Sequence, residues 1–197
     1  LPEELGFVEA ASLGCRFVTA FRAVTALARV GEGEWVSVHG CGGVGLAAVM
    51  IARARGARVL AVDIRPEALG LARELGAEHT LDARGVHDVS AAIRELTAGG
   101  AAASLDALGS PATCRNSILG LRPRGRHVQA GLLLGREAEP PVPMAAVIAR
   151  ELQVFGVHGM AARAYPEMLE DVVRGRLEPR RLVQRTIPLE SVPAALE

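Results

Sequence analysis

Three glycines and one carboxylate hold the most legible chemistry in this chain. Gly40, Gly42 and Gly45 take the first, third and sixth places of Gly40-Cys41-Gly42-Gly43-Val44-Gly45, and Asp63 follows 18 residues after the last of them. A β-branched run, Trp35–Val38, enters the turn, an alanine-rich stretch of helical pattern leaves it, and a second apolar run, Val59–Val62, ends in Asp63. Each glycine has a physical task. Gly40 permits a sharp exit from a strand, Gly42 lets backbone come close to a pyrophosphate, and Gly45 lets the helix pack tightly on the sheet. The helix start offers free N–H groups and the positive end of a dipole to phosphates. Asp63 at the end of a second strand accepts hydrogen bonds from ribose hydroxyls and repels a 2′-phosphate, which favours NAD over NADP. Ile64 and Arg65 continue that site, and Arg65 is expected to cover an adenine face or, less readily, to pair with a 2′-phosphate. A GxGxxG alone is weak in a chain of 22 glycines; the strand before it, the helix after it and the acidic residue beyond make the dinucleotide reading strong. A second role for Asp63, capping the helix entered at Pro66, is compatible with the first.

Cys15 is the other candidate. Residues 15–28 read as one helix in which Phe17, Phe21, Val24 and Ala28 face the core, while Cys15, Thr19 and Arg22 fall on the opposite side. A thiol at a helix N-terminus, off the apolar stripe, is biased toward the thiolate that binds metal. A small buried hydrophobe is the competing reading, and the residues alone leave both open. Cys41, inside the turn, reads as a small packed residue exposed to oxidation by its position; Cys114 has no neighbour that points to a metal. His39 and His158 read as strand-end residues with structural roles. His79, His87 and His127 share no ligand spacing, and Trp35 reads as core.

The elements that must position these groups alternate. Candidate strands are 35–39, 58–63, 78–81, 103–108, 126–131 and 152–157, and helical patterns fall at 44–55, 66–75, 87–97, 111–121 and 165–176. In the first of these helices Val44, Ala47, Ala48, Ile51 and Ala52 make a small apolar face suited to close packing. Such alternation predicts an α/β fold, a doubly wound parallel six-stranded sheet of Rossmann type in the order 3-2-1-4-5-6, with ligand at the carboxyl ends of the strands. The proline-rich stretch 135–149 is expected to be a loop leading into a short helix, and 186–189 a short extended piece.

Composition narrows the setting. Twenty-two basic residues, all arginine, balance 22 acidic ones, which argues against a nucleic-acid or anionic-membrane surface. Half the residues are hydrophobic, and no run is long enough to span a bilayer. Three scattered cysteines without a CxxC pair argue against a disulfide framework and fit a reducing, cytoplasmic setting. The chain starts without methionine and 193–197 read as a helix just begun, so a part of a longer protein is expected. It divides into a connecting helix region at 1–34, a Rossmann core at 35–159 and a returning segment at 160–197.

Taken in order, several stretches resemble the medium-chain, zinc-dependent alcohol dehydrogenase family, and in particular its cofactor-binding domain. They are Gly14-Cys15-Arg16-Phe17-Val18-Thr19-Ala20, the glycine turn, Leu105–Gly109, Leu121–Arg126, Val154–Gly159 and Thr186–Leu189. The resemblance implies that Cys15 is one ligand of a catalytic zinc and that Thr19 lies near the nicotinamide, as the catalytic residue this chain supplies. It implies that Gly40, Gly42, Gly43, Val44 and Gly45 hold the pyrophosphate and Asp63 the ribose. Leu108, Gly109, Gly131, Leu132 and Val157 would line the nicotinamide pocket, partly through backbone groups. The family's other zinc ligands, its structural zinc lobe and most of its substrate pocket have no counterpart here, and one cysteine cannot make a catalytic zinc site. The expectation is therefore a domain that binds NAD without turnover on its own. In the intact protein it would serve hydride transfer between an alcohol or carbonyl substrate and NAD, with homo-oligomers formed through edge strand 152–157. The alternatives are a zinc-free NADPH-dependent quinone or enone reductase of the same superfamily and a non-catalytic redox-sensing module.

Overall fold

Valine-, leucine- and alanine-rich runs with almost no charge form the interior of the sheet, as strands covered on both faces require. A computed structural model describes residues 2–196; Leu1 and Glu197, the last residue of the expected terminal helix, lie outside the described residues. Six strands, β1 (Trp35–His39), β2 (Arg58–Asp63), β3 (His79–Asp82), β4 (Ala101–Asp106), β5 (Leu121–Gln129) and β6 (Gln153–Gly156), make one sheet in the order β3-β2-β1-β4-β5-β6. All pairs are parallel, and Val38 of central β1 lies opposite Ala61 on one side and Leu105 on the other. The doubly wound order read from the sequence is the one observed.

Helices α3 (Gly43–Ala54), α4 (Pro66–Glu74), α5 (Val89–Leu96) and α6 (Pro111–Leu119) connect successive strands from β1 to β5, and α7 (Met144–Ala149) precedes β6. The apolar face expected on α3 is fully buried at Ala47, Ala48, Ile51 and Ala52, and half-buried at Val44. Arg55, off that face, lies over the Phe21 ring and pairs with Glu167 and Asp171 of α8 (Tyr165–Val173).

The helix expected over 15–28 starts one residue late, at Arg16, and runs to Leu27. A first helix, α1 (Phe7–Ser12), runs into a kink where Gly14 is extended and Cys15 takes φ +39°, and α2 (Val18–Arg22) starts beyond it. The core face survives: Phe17, Phe21, Val24 and Ala28 are all buried. Its opposite face is not wholly exposed, because Thr19 is buried too.

Strand β5 begins five residues before the expected 126 and takes residue 121 from the preceding helix. Ala101 pairs with Leu121 but Ala103 with Arg126, so 122–125 bulge out, with Arg124 at φ +61°. The bulge places Pro123 where no ladder N–H is needed, and that proline hid the start of the strand. The expected strand residues 107–108 and 130–131 are instead loops beyond β4 and β5, and 186–189 is irregular backbone outside the sheet, running into a short turn.

At the amino ends of the strands, Glu34 accepts from Arg126 at 2.7 Å and from Arg122 at 3.0 Å. Trp35 is half-buried rather than core. It stacks on His79 with ring centroids 5.3 Å apart, under the Arg58 guanidinium at 4.1 Å.

Candidate functional site

The carboxyl ends of β1, β2, β4 and β5 gather the predicted residues. Gly40 leaves β1 at φ +84°, a conformation side chains disfavour, and its N–H donates to the Val62 carbonyl at 2.8 Å. The three glycines differ in what surrounds them. A Cβ on Gly45 would run into the Gly40 carbonyl oxygen, one on Gly40 would meet Leu108 at 3.0 Å, and one on Gly42 would meet nothing within 4 Å. Two glycines are therefore set by packing, and the third leaves its approach open to a ligand.

Asp63 stands behind the turn with little exposure. Its Oδ2 accepts from Cys41 N–H at 2.6 Å, and its Oδ1 from the N–H groups of Ile64 at 2.8 Å and Arg65 at 2.9 Å. Burial opposes ionisation, but the backbone donors Cys41 and Arg65 and the Arg65 guanidinium outweigh it and hold the carboxyl below its usual range. The bonds to Ile64 and Arg65 form the turn that leads into α4, but the capping role read for Asp63 is not observed: Arg65 is the N-cap, and no side chain caps the first turn of the helix. The Ile64 and Arg65 side chains are exposed beside it.

A cavity of about 260 Å³ opens over the turn, bordered by Cys41, Gly42, Gly43, Arg65, Glu67 and Arg16. Another of about 410 Å³ continues from Gly43 past Arg16 to Gly14 and Arg185. Arg16, to which the sequence reading gave no role, lies across Gly43 so closely that a Cβ there would come within 2.8 Å of its guanidinium. Its only signal in the sequence was adjacency to Cys15.

On the other side of β1, buried Asp106 ends β4 as Asp63 ends β2. Its Oδ1 accepts from the N–H groups of Leu108 at 2.9 Å and Gly109 at 3.0 Å; its Oδ2 accepts from Thr113 and Gln129, each at 3.0 Å. Gly109 and Gly131 lie backbone against backbone: a Cβ on Gly109 would come within 2.5 Å of the Gly131 carbonyl carbon. Leu108 and Leu132 project from these loops with more than half their surface exposed. Val157 joins the set through its N–H to the Gln129 carbonyl at 3.0 Å. Thr19 reaches it through its hydroxyl, which accepts from Gly159 N–H at 3.2 Å.

Cys15 is exposed at the kink before α2, and the next residue, Arg16, meets the glycine turn. Among the described residues there is no group of three or more His, Cys, Asp or Glu side chains that could hold a metal. The oxidation-prone reading of Cys41 does not fit its surroundings. It is buried, and burial together with the Asp63 carboxylate pushes its thiol up to about 12, leaving almost no thiolate. Cys114 is also buried and its thiol raised by burial. His39 and His127 are buried and held neutral, both lowered to about 4 by burial.

A family model described as zinc-binding dehydrogenase matches residues 43–174. An alcohol dehydrogenase of Geobacillus stearothermophilus is 31% identical over 192 residues, which cover 98% of this chain and 54% of that protein. A geraniol dehydrogenase of Castellaniella defragrans is 34% identical over 176 residues, covering 89% and 43%. Among solved structures, an alcohol dehydrogenase zinc-binding domain protein from Burkholderia ambifaria superposes with a TM-score of 0.91 at 33% identity, over 100% of this chain and 53% of the other. Benzyl alcohol dehydrogenase from Acinetobacter calcoaceticus gives 0.91 at 25% identity, over 100% and 54%. The chain spans about half the length of the curated relatives it matches.

Proposed function

This chain belongs to the zinc-binding dehydrogenase family, and we propose that it is the NAD-binding half of an alcohol dehydrogenase, binding the cofactor without turning over substrate by itself. The observation that carries the reading is the joint geometry of turn and carboxylate. Gly42 has open space where a pyrophosphate would approach, and Asp63, tied to the turn through Cys41 N–H, ends the neighbouring strand where a carboxylate would meet a ribose. Gly40, Gly43, Val44 and Gly45 would support the pyrophosphate. Ile64 and Arg65 would border the adenosine, and Leu108, Gly109, Gly131, Leu132 and Val157 the nicotinamide. NAD supplies the hydride acceptor; the chain's own part is to orient it and keep water from its redox end.

Zinc would fit here only as a shared ion. Cys15 can give one thiolate, and a catalytic site needs about three protein ligands, so the others must come from outside this chain. When bound, such an ion polarises a substrate oxygen. Thr19, anchored near the loop after β6, is read as the residue of this chain nearest the reacting alcohol or carbonyl. The exposed edge of β6, where Val154 is 45% exposed, supports pairing with a second copy, which light scattering coupled to size exclusion tests; monomer at high concentration overturns it. Three free cysteines fit a cytoplasmic setting, and no helix among the described residues is long and apolar enough to cross a membrane.

Titration with NADH and NADPH tests the central reading. Preferential NADH binding that is abolished in Asp63→Ala is expected; binding of neither overturns it. A second reading, an NADPH-dependent reductase, draws on the two arginines, Arg16 and Arg65, that border the cavity over the glycine turn. NADPH preference would favour it.

A further inference from the structure

The two loops assigned to the nicotinamide end are joined from beneath by a side chain to which no cofactor role attaches. Gln129, the last residue of β5, donates from Nε2 to Asp106 Oδ2 at 3.0 Å and to the Gly131 carbonyl at 2.9 Å. Through Asp106 it is coupled to the N–H groups of Leu108 and Gly109. Through the Gly131 carbonyl it holds the loop that carries Leu132. Both its N–H groups are spent on oxygens that can only accept, so the orientation of the amide is fixed.

That orientation determines the rest of the chain of bonds. Oε1 of Gln129 faces Nε2 of His127 at 3.2 Å, and an amide oxygen needs a donor, so the His127 proton sits on Nε2. Nδ1, with its one lone pair, is then free to accept from a serine hydroxyl, and those of Ser104 at 3.1 Å and Ser117 at 3.0 Å are both within reach. A neutral imidazole is required, and the fully buried His127 is held neutral. The donors in the series point the same way, from a serine hydroxyl through His127 and Gln129 to the Asp106 carboxylate. In such a buried network the loss of one member leaves others orphaned.

We infer that Gln129 is a positioning residue, clamped by His127, that sets the spacing of the Leu108–Gly109 and Gly131–Leu132 loops and so the seat of the nicotinamide. The inference rests on reading the crevice as the NAD site. The glycine-on-glycine contact of Gly109 and Gly131 gives the two backbones no side chain with which to adjust their separation. Their spacing therefore follows the polar clip below them. The adenosine end, organised by Asp63 on the far side of β1, lies outside the clip.

The test separates the two ends of the cofactor in the intact protein. Affinities for NADH and for ADP-ribose, which lacks the nicotinamide, are measured by calorimetry in the parent, in Gln129→Met and in the double variant His127→Leu/Gln129→Met. Methionine keeps the length of the side chain without its hydrogen bonds. The double variant also removes the orphaned imidazole, which guards against loss of the fold. The expected result is NADH binding weakened about tenfold or more, while ADP-ribose stays within about twofold. Equal weakening of both ligands in both variants would reduce Gln129 to a structural part and overturn the inference, as would unchanged NADH affinity. A parent that binds neither ligand overturns the crevice reading itself, and the inference with it.

Discussion

The backbone N–H of Cys41 donates to Oδ2 of Asp63 across 2.6 Å, joining the glycine turn after β1 to the end of β2. One bond between neighbouring strands thereby ties together the residues proposed to hold pyrophosphate and ribose. The bond also settles how the carboxylate divides its work: Oδ2 holds the turn, and Oδ1 holds the entry to α4 through Ile64 and Arg65.

Asp63→Asn is expected to cost about 1–3 kcal/mol of stability. An amide offers one acceptor oxygen where the carboxylate offers two, so either Cys41 N–H or the Ile64–Arg65 pair loses its partner. Chemical denaturation reads this loss. The same variant should narrow the NADH-over-NADPH preference by removing the charge that repels a 2′-phosphate, and an unchanged preference would remove Asp63 from cofactor selection.

Gly42→Ala and Gly45→Ala should part company. An alanine at 42 meets nothing within 4 Å and sits at φ −89°, so the fold should keep its stability while NADH affinity drops. An alanine at 45 strikes the Gly40 carbonyl oxygen, which forces α3 off the sheet and destabilises by about 1–3 kcal/mol or more. Melting curves and cofactor titrations on both variants check the contrast, and equal stability losses would overturn it.

Acid should weaken this fold well above the carboxylate range. Folded His39 and His127 both titrate near 4, against 6.5 for an ordinary histidine, so between those values the unfolded chain holds protons that the folded chain refuses. Their contribution is complete above about pH 6.5 and falls as pH drops toward 4, by about 2 kcal/mol per histidine at pH 5. Asp63 is lowered as well, so its contribution is also lost on acidification, but only as pH falls below the ordinary aspartate range. His39 Nε2 is buried without a hydrogen-bond partner, so His39→Phe should remove its half of the acid loss and leave stability at pH 7 unchanged or raised. Urea midpoints at pH 7 and pH 5 measure both effects; a parent midpoint that does not move between them contradicts the assignment.

Cys15 combines an exposed thiol with φ +39°, a conformation that strains any residue with a side chain. Cys15→Gly should leave this chain as stable as the parent or more so, because glycine adopts such a φ without strain. In the intact protein the same variant should lose zinc, measured by metal analysis, and turnover, while retaining NADH. Full turnover in that variant would end the ligand role for Cys15.

Much of this was legible beforehand because the sheet is built from local signals. Apolar runs between glycine and proline punctuation fixed the strand order, and the turn from Gly40 to Gly45 could be read glycine by glycine. What escaped depended on residues meeting across strands. Gln129 and His127 look like polar interruptions in a strand until the register brings them beside Asp106 and Ser104. Arg16 reads as one of 22 arginines until the kink at Gly14–Cys15 lays it over Gly43. Strand β5 was misplaced because Pro123 ordinarily argues against a strand, and only the bulge makes room for it. Thr19, off the core face of its helix, is nonetheless buried, and its hydroxyl accepts from Gly159 N–H of a loop remote in sequence.

The placement of Trp35 has a spectroscopic consequence. It is the only indole in the chain, and it lies at the opposite end of β1 from Gly40, in contact with the His79 ring and the Arg58 guanidinium. Its emission should follow the melting of the strand ends more directly than the arrival of a ligand. A bound reduced nicotinamide emits on its own, at the other end of the same strand. The two signals give separate optical windows on one β-strand, so a variant's unfolding and its cofactor occupancy can be followed in a single cuvette without a label.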